Sequence, residues 1–283
     1  MATLREITES EATGEIARIY EEIREAYAAP YVSSLFRHLA TYPGLLEWAW
    51  GFTRPAFVSG MMQHTGWNHV DVSALPALPT LSREDLRALG VIGSDEAMIR
   101  DVCRTFTRIS PINLVFAGCL GRVLRGEAEM MGDGVSVSSA QAVREPLGLP
   151  KSLPRLPDMV PWEALDPERR AVVDVFETEL ADEAFVPGLY RILAHWPGYL
   201  AGVAADLGPS LSDPKVLTTC EAIADRIVDT APEVLATLGA PEQPAPIDAR
   251  EKELVLSAIQ TYRGTSPQMV GFGTLLLNAL PED

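Results

Sequence analysis

Apolar positions recur at helical spacing along most of the chain, and no stretch keeps the alternation typical of a strand. Residues 17–27, 94–107 and 112–123 each place apolar side chains three and four positions apart. Because proline cannot continue the helical hydrogen-bond ladder, the Pro43-Gly44 and Ser110-Pro111 pairs each predict a helix end. The pattern therefore predicts an all-α fold of mostly short helices.

Three further segments follow from the sequence pattern. Residues 65–82 contain Gly, Pro and Ser without helical periodicity, which predicts a loop. Ser82 precedes Asp85 by three positions, which is typical of a capped helix start, and Gly90 is a plausible stop. Residues 269–280 predict an apolar terminal helix.

One sixteen-residue motif occurs twice. Residues 31–46 read YVSSLFRHLATYPGLL and residues 185–200 read FVPGLYRILAHWPGYL, with eight of sixteen positions identical at an offset of 154. A period this long indicates two fused copies of a domain-sized unit rather than a solenoid of short repeats. We therefore expect two like halves that form an intramolecular pseudo-dimer, with a pocket at the seam.

The predicted organisation has three parts. The first helical repeat covers residues 1–131 and the second covers residues 162–283. Residues 132–161 form a linker that is rich in Gly and Ser at first and in Pro afterwards, and the prolines stiffen its second part.

The net charge of the chain argues against two classes of binding partner. A net charge of −16 argues against a nucleic-acid surface, which needs clustered Lys and Arg, and disfavours docking on anionic membrane. The first residues contain no apolar leader-like run, and no run reaches 18 apolar residues, so we expect a cytoplasmic protein with a small-molecule partner. A homodimer is compatible with the sequence.

The sequence predicts neither a set of disulfide bonds nor a structural metal site. The three cysteines are odd in number and widely spaced, and no Cys/His zinc pattern occurs. His64, His69 and Asp71 have the chemistry of metal ligands, but they lie in a Gly- and Trp-containing stretch, HTGWNHVD, without helical i, i+4 spacing, so a surface loop is the preferred interpretation.

Histidine and arginine supply the remaining candidate groups. His38 and His195 each lie in a copy of the motif but at non-equivalent positions, and a lone helical histidine is more often structural than a base. Arg37 and Arg191 are equivalent positions, which favours a structural clamp and leaves carboxylate binding as an alternative.

In the order of its motifs the chain resembles the group I 2-haloacid dehalogenases, the DehI-type enzymes that accept both D and L substrates. The resemblance rests on both copies of the motif, the helix before Ser110-Pro111 and the Pro-rich linker. It implies an all-α pseudo-dimer with an active-site channel between the halves. It also implies an Asp of the second half as general base, which activates a water that attacks the halogen-bearing carbon with inversion.

The resemblance further implies a set of pocket residues. The matching positions are Tyr31, Ser33, Ser34, Ser110, Asn113, Gly188, Leu189, Tyr262, Thr265, Ser266 and Met269. Leu189 stands where the resemblance implies the base, and leucine cannot accept a proton. General-base assistance is worth roughly 10²- to 10⁴-fold. The nearest acids, Asp182 and Glu183, precede the Pro187-Gly188 break.

Three functions remain open at this point. The first is a cofactor-independent enzyme with altered chemistry, such as cyclisation, elimination or substitution on a small to medium apolar substrate, with His38, His195 and Tyr262 as candidate catalytic groups. The second is a non-catalytic ligand-binding or structural homologue. The third is a true 2-haloacid dehalogenase that uses Asp182 or Glu183. For the altered enzyme we expect neither cofactor nor metal.

Overall fold

The computed structural model describes residues 5–127, 155–180 and 183–282. For residues 179, 180, 183 and 184 it describes only the main chain. The first range contains helices α1 (Gly14–Tyr27), α2 (Ser34–Leu39), α3 (Leu45–Val58), α4 (Met61–Asn68), α5 (Arg83–Ala88) and α6 (Asp95–Leu124). The remaining ranges contain α7 (Pro167–Asp174), strands β1 (Thr178–Leu180) and β2 (Glu183–Phe185), α8 (Gly188–Leu193), α9 (Pro197–Leu211), α10 (Pro214–Val228), α11 (Ala231–Leu238) and α12 (Ala249–Ala279). The all-α prediction is confirmed, with one short antiparallel hairpin added.

Two long helices, α6 and α12, pack against each other at the centre of the fold. The predicted break at Ser110-Pro111 is wrong, because α6 runs for 30 residues through Pro111. Similarly, α12 runs for 31 residues through Pro267. An interior proline costs a helical hydrogen bond, but residues 107–121 of α6 are all buried, and tertiary packing on this scale outweighs local propensity.

Helix α4 corrects the predicted loop over residues 65–82, since it extends to Asn68 and includes His64. The helix packs closely on α6. A β-carbon on Gly66 would lie 3.0 Å from the main-chain carbon of Pro111. Gly66 therefore allows α4 and α6 to approach each other closely. From the sequence alone, this glycine indicated only a helix breaker.

Each copy of the repeated motif contacts a short segment that precedes it in the chain, and we call residues 5–9 and 158–160 the first and second entry segments. Ile7 donates its main-chain N–H to the carbonyl of Arg37 at 3.0 Å, and Val160 donates its own to the carbonyl of Arg191 at 3.2 Å. The two arginines are equivalent in the motif. The same main-chain contact therefore occurs at both copies. Residues 132–154 of the predicted linker lie outside the described residues.

The motif differs between its copies at one buried aromatic position, Phe36 in the first and Tyr190 in the second. Tyr190 is fully buried and stacks on Phe176 with ring centroids 4.0 Å apart. Its hydroxyl has no hydrogen-bond partner within the described residues. A buried, unpaired hydroxyl is a cost to the folded state.

We expect Tyr190→Phe, which installs the residue of the first copy, to raise the free energy of unfolding by about 1 kcal/mol. The matched control is Tyr20→Phe. Tyr20 is equally buried, but its hydroxyl donates to the carbonyl of Ile7 at 2.9 Å, so its removal should lower stability by about 1 kcal/mol. Denaturant unfolding of the three proteins measures both changes. Equal losses in the two variants would contradict the prediction.

Within the described part of the chain, no helix combines the length and the apolar character needed to cross a lipid bilayer.

Candidate functional site

A buried polar group joins α2, α6 and α12. The hydroxyl of Ser33, the N-cap residue of α2, donates to Oδ1 of Asn113 on α6 at 3.4 Å. The hydroxyl of Tyr262 on α12 lies close enough to Ser33 and to the main chain of Leu35 for their donors to lower its pKa. The first turn of a helix leaves its N–H groups without helical partners, so Leu35 has a donor available for this contact. The fold thus brings together three residues that the sequence placed in one pocket.

An apolar contact continues from this group toward the second copy of the motif. The rings of Tyr31 and Phe106 have centroids 5.9 Å apart. A β-carbon on Gly188 would lie 3.7 Å from Cζ of Phe106 and 3.0 Å from Sδ of Met159. Phe106 therefore lies near Tyr31 of the first copy and near Gly188 of the second copy, so each copy of the motif has a residue beside this side chain of α6.

Tyr31 and Tyr262 are largely surrounded by protein but keep part of their surface exposed. Desolvation is the main cause that raises the pKa of each hydroxyl. Nevertheless both side chains keep accessible surface and are only half-buried. Each ring is therefore only partly accessible, and we refer to the region beside the two rings as the candidate recess. For Tyr262, the hydrogen bond with Ser33 and the charge of Arg37 lower the pKa and partly offset the desolvation.

Leu189 lies in the first turn of α8, directly after Gly188, and none of its surface is exposed. An apolar side chain fills this position. Of the two nearest acids, Asp182 lies outside the described residues, and only the main chain of Glu183 is described.

The other predicted pocket residues lie on the same two long helices. Ser110 and Asn113 are buried one turn apart on α6, and Phe106 precedes Ser110 by one turn on the same face. On α12, Ser266 donates its hydroxyl to the carbonyl of Tyr262 at 3.0 Å, while Thr265 is half-buried and Met269 is buried. Phe106 was missed by sequence reasoning, although its helical spacing from Ser110 could have revealed it.

The two candidate catalytic histidines contact the entry segments. Nδ1 of His38 lies 2.8 Å from the carbonyl of Arg5, and Nε2 of His195 lies 2.9 Å from the carbonyl of Asp158. Because a carbonyl only accepts, each ring nitrogen carries the proton in these contacts. His38 is buried and its ring meets Tyr42, whereas His195 is exposed. Two histidines at non-equivalent positions thus contact corresponding segments. Among the described residues, neither ring forms a hydrogen bond or a ring contact with Ser33, Asn113 or Tyr262.

In the described part of the chain, no group of three or more His, Cys, Asp or Glu side chains is arranged to hold a metal ion. His64 lies in α4 and its ring contacts Asn68. His69 contacts the carbonyl of Thr65 at 2.8 Å.

Comparison with characterised sequences identifies relatives of one kind. The chain is 29% identical over 262 residues to a configuration-inverting 2-haloacid dehalogenase of Alcaligenes xylosoxydans xylosoxydans, which covers 92% of this chain and 76% of that protein. It is 25% identical over 206 residues to a configuration-inverting 2-haloacid dehalogenase of Pseudomonas sp. (strain 113), which covers 69% of this chain and 63% of that protein. No protein-family model matches the chain.

Solved structures give the same fold. A D-2-haloacid dehalogenase mutant superimposes with a TM-score of 0.66 at 17% identity, covering 98% of this chain and 94% of that one. A D-2-haloacid dehalogenase in complex with L-LA superimposes equally well, with a TM-score of 0.66 at 18% identity. The chain therefore has the helical fold of the D-2-haloacid dehalogenases, and its sequence relatives support a 2-haloacid dehalogenase family without extending to the group I, DehI-type subdivision.

Proposed function

We propose that the chain is a cofactor-independent enzyme on a 2-haloacid-dehalogenase-like scaffold, with chemistry that differs from haloacid hydrolysis. The observation that carries the proposal is the complete burial of Leu189 at the position implied for the general base. Hydrolysis of a carbon–halogen bond needs an activated water, and a leucine cannot take its proton. Both sequence relatives are named as dehalogenases. The difference that we propose for this chain therefore lies in the residues of its site, while the fold stays the same.

The polar residues that remain support positioning and electrostatic catalysis. Ser33 donates to Asn113, Tyr262 lies beside Ser33, and in this proposal these residues and the ring of Tyr31 border the candidate recess. Fixed donors of this kind stabilise charge that develops in a transition state without reorganising. Such a site suits cyclisation, elimination or substitution on a small to medium apolar substrate that carries its own reacting groups.

We also propose that the scaffold is an internal pseudo-dimer of the group I type. Support comes from the repeated motif and from the main-chain contacts at Arg37 and Arg191, which are the same in both copies. The histidine contacts to the carbonyls of Arg5 and Asp158 add a second correspondence. In this proposal the second copy extends back before Trp162 to include the second entry segment.

The proposed function predicts that the native protein releases no halide from D- or L-2-chloropropionate. The reason is the missing general base, whose assistance is worth roughly 10²- to 10⁴-fold. Halide release measured with both enantiomers, at enzyme concentrations high enough to detect a slow turnover, checks the prediction. Release well above the uncatalysed rate would contradict it and favour the second candidate.

The second candidate is a true 2-haloacid dehalogenase, and the names of both sequence relatives favour it. It requires another carboxylate, for which Asp182 and Glu183 are the sequence candidates. If halide is released, Asp182→Asn and Glu183→Gln identify the base, because only the variant that lacks it should lose activity.

A further inference from the structure

Phe106 of α6 is the counterpart of Tyr262 of α12 in the repeat. An offset of 156 positions separates the Ser-Pro pairs of the two long helices, and the same offset relates these two aromatic residues. Tyr262 lies beside Ser33 in the first copy of the motif, and Phe106 lies near Gly188 in the second copy. Each long helix therefore places an aromatic ring beside the copy of the motif that belongs to the other predicted repeat. The ring beside the second copy has no hydroxyl, so this end of the candidate recess is apolar.

Met159 of the second entry segment contacts this apolar end. A β-carbon on Gly188 would lie 3.0 Å from Sδ of Met159 and 3.7 Å from Cζ of Phe106. The thioether and the aromatic ring therefore both approach the first residue of α8. Although Met159 is a large apolar residue, it is 45% exposed. The glycine thus leaves space that an apolar, partly exposed side chain occupies.

The main chain on both sides of Met159 is fixed by hydrogen bonds. The carbonyl of Asp158 accepts from Nε2 of His195 at 2.9 Å, and the N–H of Val160 donates to the carbonyl of Arg191 at 3.2 Å. The carbonyl of Val160 also accepts from Nη2 of Arg191 at 2.9 Å. Methionine is unbranched and has three rotatable bonds, which lets it adapt to the shape of its neighbours. The thioether can therefore change its rotamer while the entry segment stays in place.

The first entry segment has a charged residue at the corresponding place. Ile7 and Val160 make the same main-chain contact, so Glu6 corresponds to Met159. The carboxylate of Glu6 forms an ion pair with Arg37 at 3.0 Å, which ties its side chain to α2. An adaptable apolar side chain is therefore particular to the entry segment beside the second copy.

We propose that Met159 is a movable wall that determines the length of the apolar chain that the substrate carries. The polar end of the substrate lies beside Ser33 and Tyr262. Its apolar chain runs along Phe106 and displaces the thioether from Gly188. Because the methionine side chain is itself unbranched, the space that it vacates fits an unbranched chain of similar length. The inference rests on the proposed function and deepens it, since it assigns the substrate a polar end and an unbranched apolar chain.

Binding of straight-chain primary amides tests the proposal, with propionamide as the short probe and hexanamide as the long probe. Each further methylene group that becomes buried strengthens binding about fourfold. In Met159→Ala the chain has no thioether to displace, so we expect hexanamide to bind about fourfold more tightly than it binds to the native protein. Propionamide is too short to reach residue 159, and its affinity should stay unchanged.

Isotope labelling of the methionine methyl groups reports the movement directly in NMR titrations. The Met159 resonance is assigned by its absence from Met159→Leu, and hexanamide should shift it whereas propionamide should not. Leu254→Ala is the matched control. Leu254 on α12 is 52% exposed, so its truncation removes a similar exposed apolar side chain and should change the affinity of neither amide.

Three results would overturn the proposal. The first is hexanamide binding that is unchanged or weaker in a folded Met159→Ala protein. The second is an equal change for both amides, and the third is the absence of a shift of the Met159 resonance when hexanamide is added to the native protein. Halide release from 2-chloropropionate by the native protein would contradict the proposed function and leave the comparison of the two amides unaffected.

Discussion

Leu189→Asp is expected to release halide from at least one enantiomer of 2-chloropropionate, whereas the native protein is expected to release none. The substitution restores the group that the family resemblance implies at the first turn of α8. Aspartate is smaller than leucine, so it leaves space beside Gly188 in which a water molecule can sit. Because none of the surface of Leu189 is exposed, desolvation should raise the pKa of the new carboxyl and make it a stronger base.

The same burial makes the substitution costly for the fold. A cavity and a polar group in a packed position together should lower the free energy of unfolding by about 3 kcal/mol. Leu189→Asn is the matched control, since it has nearly the shape of aspartate and a similar structural cost but cannot accept the proton. The expected gain over Leu189→Asn is about 10²- to 10⁴-fold in halide release.

Chloride release and the configuration of the lactate product measure the result. A direct attack of water predicts inversion, so each chloropropionate enantiomer that reacts should yield lactate of opposite configuration. Equal release by the Asp and Asn variants would mean that residue 189 is not the base position. A folded Leu189→Asp protein without activity would mean that the recess is no longer shaped for haloacids.

The sequence predicts a helix correctly where apolar periodicity and a capping signal agree. It does not predict the length of the two long helices, α6 and α12. Ser82 and Asp85 form the capping box that the sequence indicated, at the start of α5. By contrast, Pro111 and Pro267 lie inside continuous helices. The local cost of proline is visible in the sequence, but the packing of α6 against α12 that overcomes it is a tertiary property.

The site shows the same division between local and long-range information. The resemblance placed Ser33, Asn113 and Tyr262 in one pocket, and in the structure Ser33 donates to Asn113 and lies beside the Tyr262 hydroxyl. No sequence pattern connects Glu6 with Arg37, because the entry segment reaches the motif only through the folded main chain. The structural role of His38 and His195 was equally hidden, since both contact main-chain carbonyls rather than side chains.

Gly198→Ala is expected to lower the free energy of unfolding by roughly 1–3 kcal/mol, the range for overpacking a tight contact. Gly44 and Gly198 are equivalent positions of the motif, but they are required for different reasons. Gly44 has a φ of +78°, which favours glycine. Gly198 lies in the first turn of α9, where a β-carbon would stand 2.4 Å from the carbonyl oxygen of Leu89. A main-chain atom cannot rotate away, so α9 and the end of α5 must separate.

Two matched variants isolate this cause. At Gly202, one turn later on α9, a β-carbon would meet only the side chain of Leu89 at 3.3 Å, and that side chain can turn aside. Gly202→Ala should therefore change stability by less than about 1 kcal/mol, since the gain in helix propensity offsets the contact. Gly51 is exposed within α3, with no atom near its β-position, so Gly51→Ala should stabilise the protein by about 1 kcal/mol. Denaturant unfolding ranks the three variants. If Gly198→Ala is no less stable than Gly202→Ala, the approach of α9 to Leu89 does not explain why this position of the motif is glycine.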